Sequence, residues 1–237
     1  MKKNIDNFKI FYLSFLGKAV SNILSQKISD LWKPINNSRV AAIGFCSPYL
    51  KSINKKTQRI FFLTPSLHGL YHFDLNDKNI TVSVNEYILP IEDLSLDRLL
   101  VAHSFEYLID HKKFLREAWR VLDKNGEILI IVPNSFGLWR PYYKKNLSSL
   151  RTFSFAELNA LLLNNFFTPI DFNYSLFFPP INNQLVLKRV NIFEKVNMSF
   201  LKFFSGTIIV RARKNYSAAI LEEKKIIKRK VMQKIRS

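Results

Sequence analysis

The chain of 237 residues holds one cysteine, six glycines and only 18 acidic residues against 36 lysines and arginines. Each shortage excludes something. A lone Cys46 cannot form a disulfide within the chain, which fits a reducing compartment. No apolar run approaches the ~20 residues a membrane-spanning helix needs. The opening "MKKNIDNFKIFYLSFLGKAV" has the charged start and apolar stretch of a secretion signal. Asp6, Lys9 and Lys18 interrupt it, so it reads as part of the protein and the expected location is cytoplasmic. The glycine shortage bears on "RVAAIGFCSPYL" (39–50), where an apolar strand runs into a turn. A nucleotide-binding loop at such a place normally carries two or three glycines, and this one has only Gly44.

What is present points to a packed core. Hydrophobic residues make up 48% of the chain, 21 of them phenylalanine, and the formal net charge is +18. A basic surface of that size attracts nucleic acid, anionic lipid or acidic ligands without choosing among them. The acids are unevenly placed: eleven of the eighteen fall between Asp74 and Glu127. The tail "EEKKIIKRKVMQKIRS" carries seven basic residues and two acidic ones.

Periodicity then sets the elements. Phe8, Phe11, Tyr12, Phe15, Leu16, Ala19, Ile23 and Leu24 recur at three and four, predicting an amphipathic helix over 8–31 that Pro34 ends. Strands are predicted at 39–45, 59–65, 79–84, 97–104 and 127–133. A helix falls at 110–122, and "DKNG" turns the chain before the fifth strand. The Ser-x-x-Glu box of "SFAE" (154–157) opens a helix through Asn164. Later strands are expected at 168–178 and 206–213, with a helix over 184–203 between them. Continuous apolar strands alternating with helices imply an α/β sheet covered on both faces. Ligands of such sheets bind beyond the strand carboxyl ends. The organisation expected is an N-terminal helix (1–34) packing on a domain of 35–215, followed by a basic tail (216–237).

The segment "NEYILPIEDLSLDRLLVAHSFEYLIDHKKFLREAWRVLDKNGEILIIVPN" (85–134) resembles the class I S-adenosylmethionine-dependent methyltransferases, in a type 11-like bacterial branch without an assigned acceptor. It has an acidic loop, an entry to strand four, and the helix-turn "EAWRVLDKNGEILI" leading into strand five. "IGFCSPYL", "LTPSLHG", "VPNSFGLW" and "GTIIVRARK" are similar to that branch. The resemblance implies a Rossmann-like seven-stranded mixed sheet with the last strand antiparallel, and S-adenosylmethionine as cofactor. By position it puts donor contacts on Ala42, Gly44, Phe45, Cys46, Glu86, Tyr87 and His103. The family's usual first and third glycines are replaced, and the ribose-binding acid expected near Thr64 is absent, which removes a charge-assisted contact.

The residues themselves leave several readings open. Cys46 reads as a small buried thiol with no partner for nucleophilic work. Glu86 is a donor contact or a solvated loop acid. His103 and Glu106, spaced H-x-x-E past strand four, are acid–base and substrate groups or caps of the strand end. Trp139 and Arg140 form a substrate-binding lid or a packed loop. His68 and His72 lack a third ligand, so no metal site is expected. Two functions follow. One is methyl transfer to an unidentified acceptor, with His103 as general base. The other is a non-catalytic methyltransferase-fold subunit binding nucleic acid or a protein partner. The basic tail adds RNA or an anionic membrane surface as a candidate contact.

Overall fold

The computed structural model describes residues 3–32, 37–49, 57–66, 74–75, 78–79, 81–147, 150–187, 190, 194 and 199–218. His68, His72 and the tail beyond residue 218 lie outside the described residues.

Seven strands form one sheet: β1 (Arg39–Gly44), β2 (Arg59–Pro65), β3 (Thr81–Val84), β4 (Leu96–Ala102), β5 (Leu122–Pro133), β6 (Phe167–Ser175) and β7 (Thr207–Lys214). Their order is β3-β2-β1-β4-β5-β7-β6. β7 runs antiparallel to both its neighbours, and the other pairings are parallel. This is the mixed α/β sheet with an antiparallel last strand expected from the sequence. A separate two-residue ladder pairs Asp74–Leu75 with Lys78–Asn79.

Strand alternation sorts the core into two layers. Ala41 and Ile43 of β1, Leu99 and Val101 of β4, and Ile128 and Ile130 of β5 pack on α3 (His111–Val121) and α5 (Phe155–Leu163). Val40, Ala42, Leu100, Ala102, Leu129 and Ile131 face α2 (Phe15–Leu31) and the Trp139–Tyr143 segment. Both faces of the central strands are therefore dry, which explains their unbroken apolar runs.

The single N-terminal helix expected over 8–31 is two helices. α1 (Lys3–Leu13) ends at Ser14, whose side chain accepts from the Gly17 amide and N-caps α2. A Cβ at Gly17 would lie 1.9 Å from the Phe11 carbonyl oxygen, so only glycine allows the two helices to cross this closely. The break turns α1 across the carboxyl ends of β1 and β4: Phe8 stacks on Phe45 and packs on His103 and Tyr107. Helical periodicity runs through a tight corner of this kind without registering it.

Three boundaries also moved. β5 starts at Leu122, and its register with β4 steps from Leu96↔Leu122 to Arg98↔Glu127, so "DKNG" bulges within the strand rather than preceding it. A short α4 (Arg140–Asn146), begun by Pro141, occupies what read as a loop. Between residues 184 and 203 the described residues hold a helical turn, Gln184–Leu187, and a 3-10 segment, Ser199–Phe204. The Ser154 cap stands as expected, accepting from the Glu157 amide.

Candidate functional site

β1 and β4 lie side by side at the sheet centre and release their turns at the same end. Gly44 closes β1 with φ +94°, and a Cβ there would sit 2.2 Å from the Ala102 carbonyl oxygen and 2.7 Å from Ser104 Cβ. Strand packing alone thus demands this glycine. Ala42, two residues earlier, is paired on both sides and its side chain lies in the core under α2. Phe45 is buried beneath Phe8 and Tyr12. Cys46 Sγ lies 3.3 Å from the Ile43 carbonyl oxygen, and burial pushes the thiol far above its usual range, so it stays protonated and inert. Ser21 and Ser25 of α2 donate to the Pro48 carbonyl and hold the turn in place.

After β4 the backbone turns through His103 at φ +54°, a left-handed conformation that costs a non-glycine residue on the order of 1 kcal/mol. Three side chains hold it there. Tyr12 Oη lies 2.6 Å and Tyr49 Oη 3.1 Å from His103 Nε2, the two phenols are hydrogen-bonded to each other, and Glu106 Oε1 is 3.5 Å from Nδ1. Burial pushes both phenols well above their ordinary range, so each keeps its proton. The network closes when Nε2 accepts and Nδ1–H faces Glu106. The H-x-x-E spacing therefore does bring His103 and Glu106 together.

Glu106 is 2% exposed, and among the described residues its Oε2 has no hydrogen-bond partner, nor does the buried Ser104 Oγ. The other histidine past β4 is structural. His111 Nε2 donates to the Phe105 carbonyl at 3.0 Å, and burial with Arg151 nearby holds its ring below the usual imidazole range, hence neutral. At the end of β3, Glu86 is 5% exposed and makes no hydrogen bond or ion pair with any described residue. Tyr87 beside it accepts from the Ile109 and Asp110 amides, tying the β3 turn to the start of α3.

A cavity of about 210 Å³ lies over the ends of β4, β5 and β7. Phe11, Tyr12, Trp139, Tyr142 and Tyr143 wall it, with His103 and Glu106 among its polar groups. Trp139 is fixed by donation from its indole N–H to the Phe178 carbonyl at 2.7 Å. Arg140 is exposed and stands outside the cavity. Tyr12, Tyr49 and Tyr143 escaped the sequence reading: each looks like a core aromatic, and only tertiary contact shows where its hydroxyl goes. Among the described residues no group of three potential ligands could hold a metal ion, and no helix is long and apolar enough to cross a membrane.

The family described as a methyltransferase domain matches residues 33–130. Among curated proteins, none matches the sequence. Solved structures do. A methyltransferase of Thermotoga maritima, described as a possible histamine N-methyltransferase, is 16% identical with a TM-score of 0.61, covering 90% of this chain and 97% of its own. A chain of the Haloferax volcanii complex containing the Trm112 methyltransferase activator is 12% identical with a TM-score of 0.61, covering 91% and 96%. An S-adenosylmethionine-dependent methyltransferase of Mesorhizobium loti is 10% identical with a TM-score of 0.54, covering 80% and 96%. At these identities the structures establish the fold. The domain match and the fold together bear out the resemblance to the class I S-adenosylmethionine-dependent methyltransferases read from residues 85–134.

Proposed function

We propose that the protein transfers a methyl group from S-adenosylmethionine to an acceptor seated in the cavity over β4, β5 and β7. The observation that carries this reading is Glu106 past β4, a buried carboxyl whose Oε2 has no hydrogen-bond partner among the described residues, with the buried Glu86 past β3, at the carboxyl ends of the strands of a fold whose residues 33–130 match a methyltransferase domain. A buried carboxyl left unsatisfied costs free energy unless a ligand meets it. The donor carries hydroxyl and amino groups suited to that need, so the residues present fit it.

S-adenosylmethionine supplies an electrophilic methyl group on a sulfonium. The Gly44–Cys46 turn and Glu86 would hold this donor, and Phe8 over Phe45 would keep water from it. The chain's own task is then positioning and proton removal. A proton leaving the acceptor passes to Tyr12 Oη while the Tyr12 proton moves to His103 Nε2. Glu106, 3.5 Å from Nδ1, stabilises the imidazolium that results. His103 is the terminal base and Tyr12 its relay.

Binding of S-adenosylhomocysteine tests the reading. At ~100 times its dissociation constant the ligand should stabilise the protein by about 2.7 kcal/mol, a rise of roughly 5–10 °C in Tm for a chain of this size. The rise should be lost in Glu86→Ala while its unliganded fold is kept. No shift and no heat of binding at millimolar ligand would leave a methyltransferase fold acting as a non-catalytic subunit.

A further inference from the structure

The charge of the cavity is opposite to that of the chain. The molecule carries +18, yet among the described residues no lysine or arginine lines the cavity, and Glu106 is the one carboxylic acid there. Around that acid stand aromatic rings, Phe8, Phe11, Tyr12, Trp139, Tyr142 and Tyr143. Trp139 and Tyr143 are locked by hydrogen bonds to the Phe178 and Gly206 carbonyls, so the walls are rigid. Asn7, Ile10 and Asn146 are exposed at its rim, while Glu106 and Thr207 are buried at its floor. Aromatic faces attract cations, and a carboxyl oxygen without a partner at the base of an apolar cavity accepts a donor strongly. An anionic acceptor finds neither, and a neutral hydroxyl finds only the hydrogen-bond acceptor.

We propose that this cavity binds a small organic amine with an apolar body, its ammonium directed toward Glu106, and that Glu106 sets this specificity. The methylation step rests on the methyl-transfer reading; the binding step does not. In the methylation, the ammonium first gives a proton to the Tyr12–His103 relay. The nitrogen lone pair then forms the N–C bond to the donor methyl, and the C–S bond breaks with its electron pair left on sulfur.

Three probes of one shape and different charge test this: 2-phenylethylamine, 2-phenylethanol and 3-phenylpropionate, titrated into the full chain by calorimetry and followed by saturation-transfer NMR, with and without S-adenosylhomocysteine. The expected result is amine affinity at least tenfold above both others, although long-range attraction to a +18 protein favours the anion. In Glu106→Gln, checked for an unchanged Tm, amine affinity should drop to that of the alcohol while alcohol affinity stays. Asn146→Trp, at the exposed rim, should weaken all three and so guards against a Glu106 variant that fails to fold. Equal affinity of the three probes, preference for the anion, or an amine affinity untouched by Glu106→Gln overturns the proposal. Bound S-adenosylhomocysteine without amine preference overturns it and leaves methyl transfer standing. Amine preference without bound S-adenosylhomocysteine supports amine binding and removes methyl transfer.

Discussion

At the amino ends of the strands, the acids are surrounded by partners. Arg39 forks onto Asp97 and also reaches Asp123. Glu127, 7% exposed, meets Arg98, Arg211 and Arg213 at 2.8, 3.6 and 3.2 Å. At the carboxyl ends, Glu86 and Glu106 are at least as buried and have no lysine or arginine partner among the described residues. One end spends its acids on holding strands together. The other sets Glu106 beside His103 among the aromatic side chains of the cavity. Within one sheet, the acids at one end pair with arginines, and those at the other are buried without a lysine or arginine partner among the described residues.

Substitutions can break or sharpen that contrast. The largest effect is expected at Gly44, which stands at the ligand end but is demanded by packing. Gly44→Ala meets both the positive φ and the Ala102 carbonyl, and should lose about 3–5 kcal/mol, read as a Tm lower by roughly 10 °C. Next comes Glu127→Ala, which takes a shared carboxylate from three arginines and should cost about 3 kcal/mol in urea unfolding. The matching change at the other end, Glu106→Gln, should cost under ~1 kcal/mol because no strong partner is lost. Similar losses at the two glutamates would erase the contrast.

Lys214 gives the comparison a pH signature. Its ammonium donates to the Leu122 carbonyl at 2.6 Å and lies 3.8 Å from the centre of the Trp119 ring, and burial brings its pKa down to about 8. The unfolded chain then binds a proton that the folded one releases, so stability should rise between pH 8 and about 10. Above about 10 the slope should reverse, because Tyr12, Tyr49 and Tyr143 are held protonated when folded and ionise when unfolded. Lys214→Met should flatten the rising limb in pH-dependent urea titrations and leave the fall.

Tyr12→Phe should cost about 1 kcal/mol and, with any acceptor that supports turnover, lower kcat about 10²-fold while S-adenosylhomocysteine binding is retained. Arg140→Ala, outside the cavity, should stay within about 0.5 kcal/mol and leave probe affinities unchanged. A marked loss of amine affinity there would mean that the cavity extends past its present rim.

Much of the fold was legible because strands buried on both faces write themselves as apolar runs. β2 falls on the residues expected, and β1, β4 and β7 within two residues at either end. The Ser14 break was not legible, since a helix that folds back on itself keeps its apolar residues at three and four on both sides of the corner. Ala42 lies inside β1, as the strand expected over 39–45 has it, with its side chain in the core under α2, while the resemblance put a donor contact there. His103 and Glu106 were legible as a pair. Tyr12 and Tyr49, 37 positions apart, could not be joined to them without the fold.

The sequence by itself determined the α/β sheet and the match of residues 33–130 to a methyltransferase domain. Periodicity and local turn chemistry are properties of neighbouring residues, and they survive in one dimension. Tertiary structure alone decided that α1 crosses the ends of β1 and β4, that two phenols and a carboxyl group converge on one imidazole, and that a basic protein encloses an acidic cavity. Those outcomes depend on burial and on contacts between distant residues, which set the free energy of a charge or hydroxyl more strongly than its chain neighbours do.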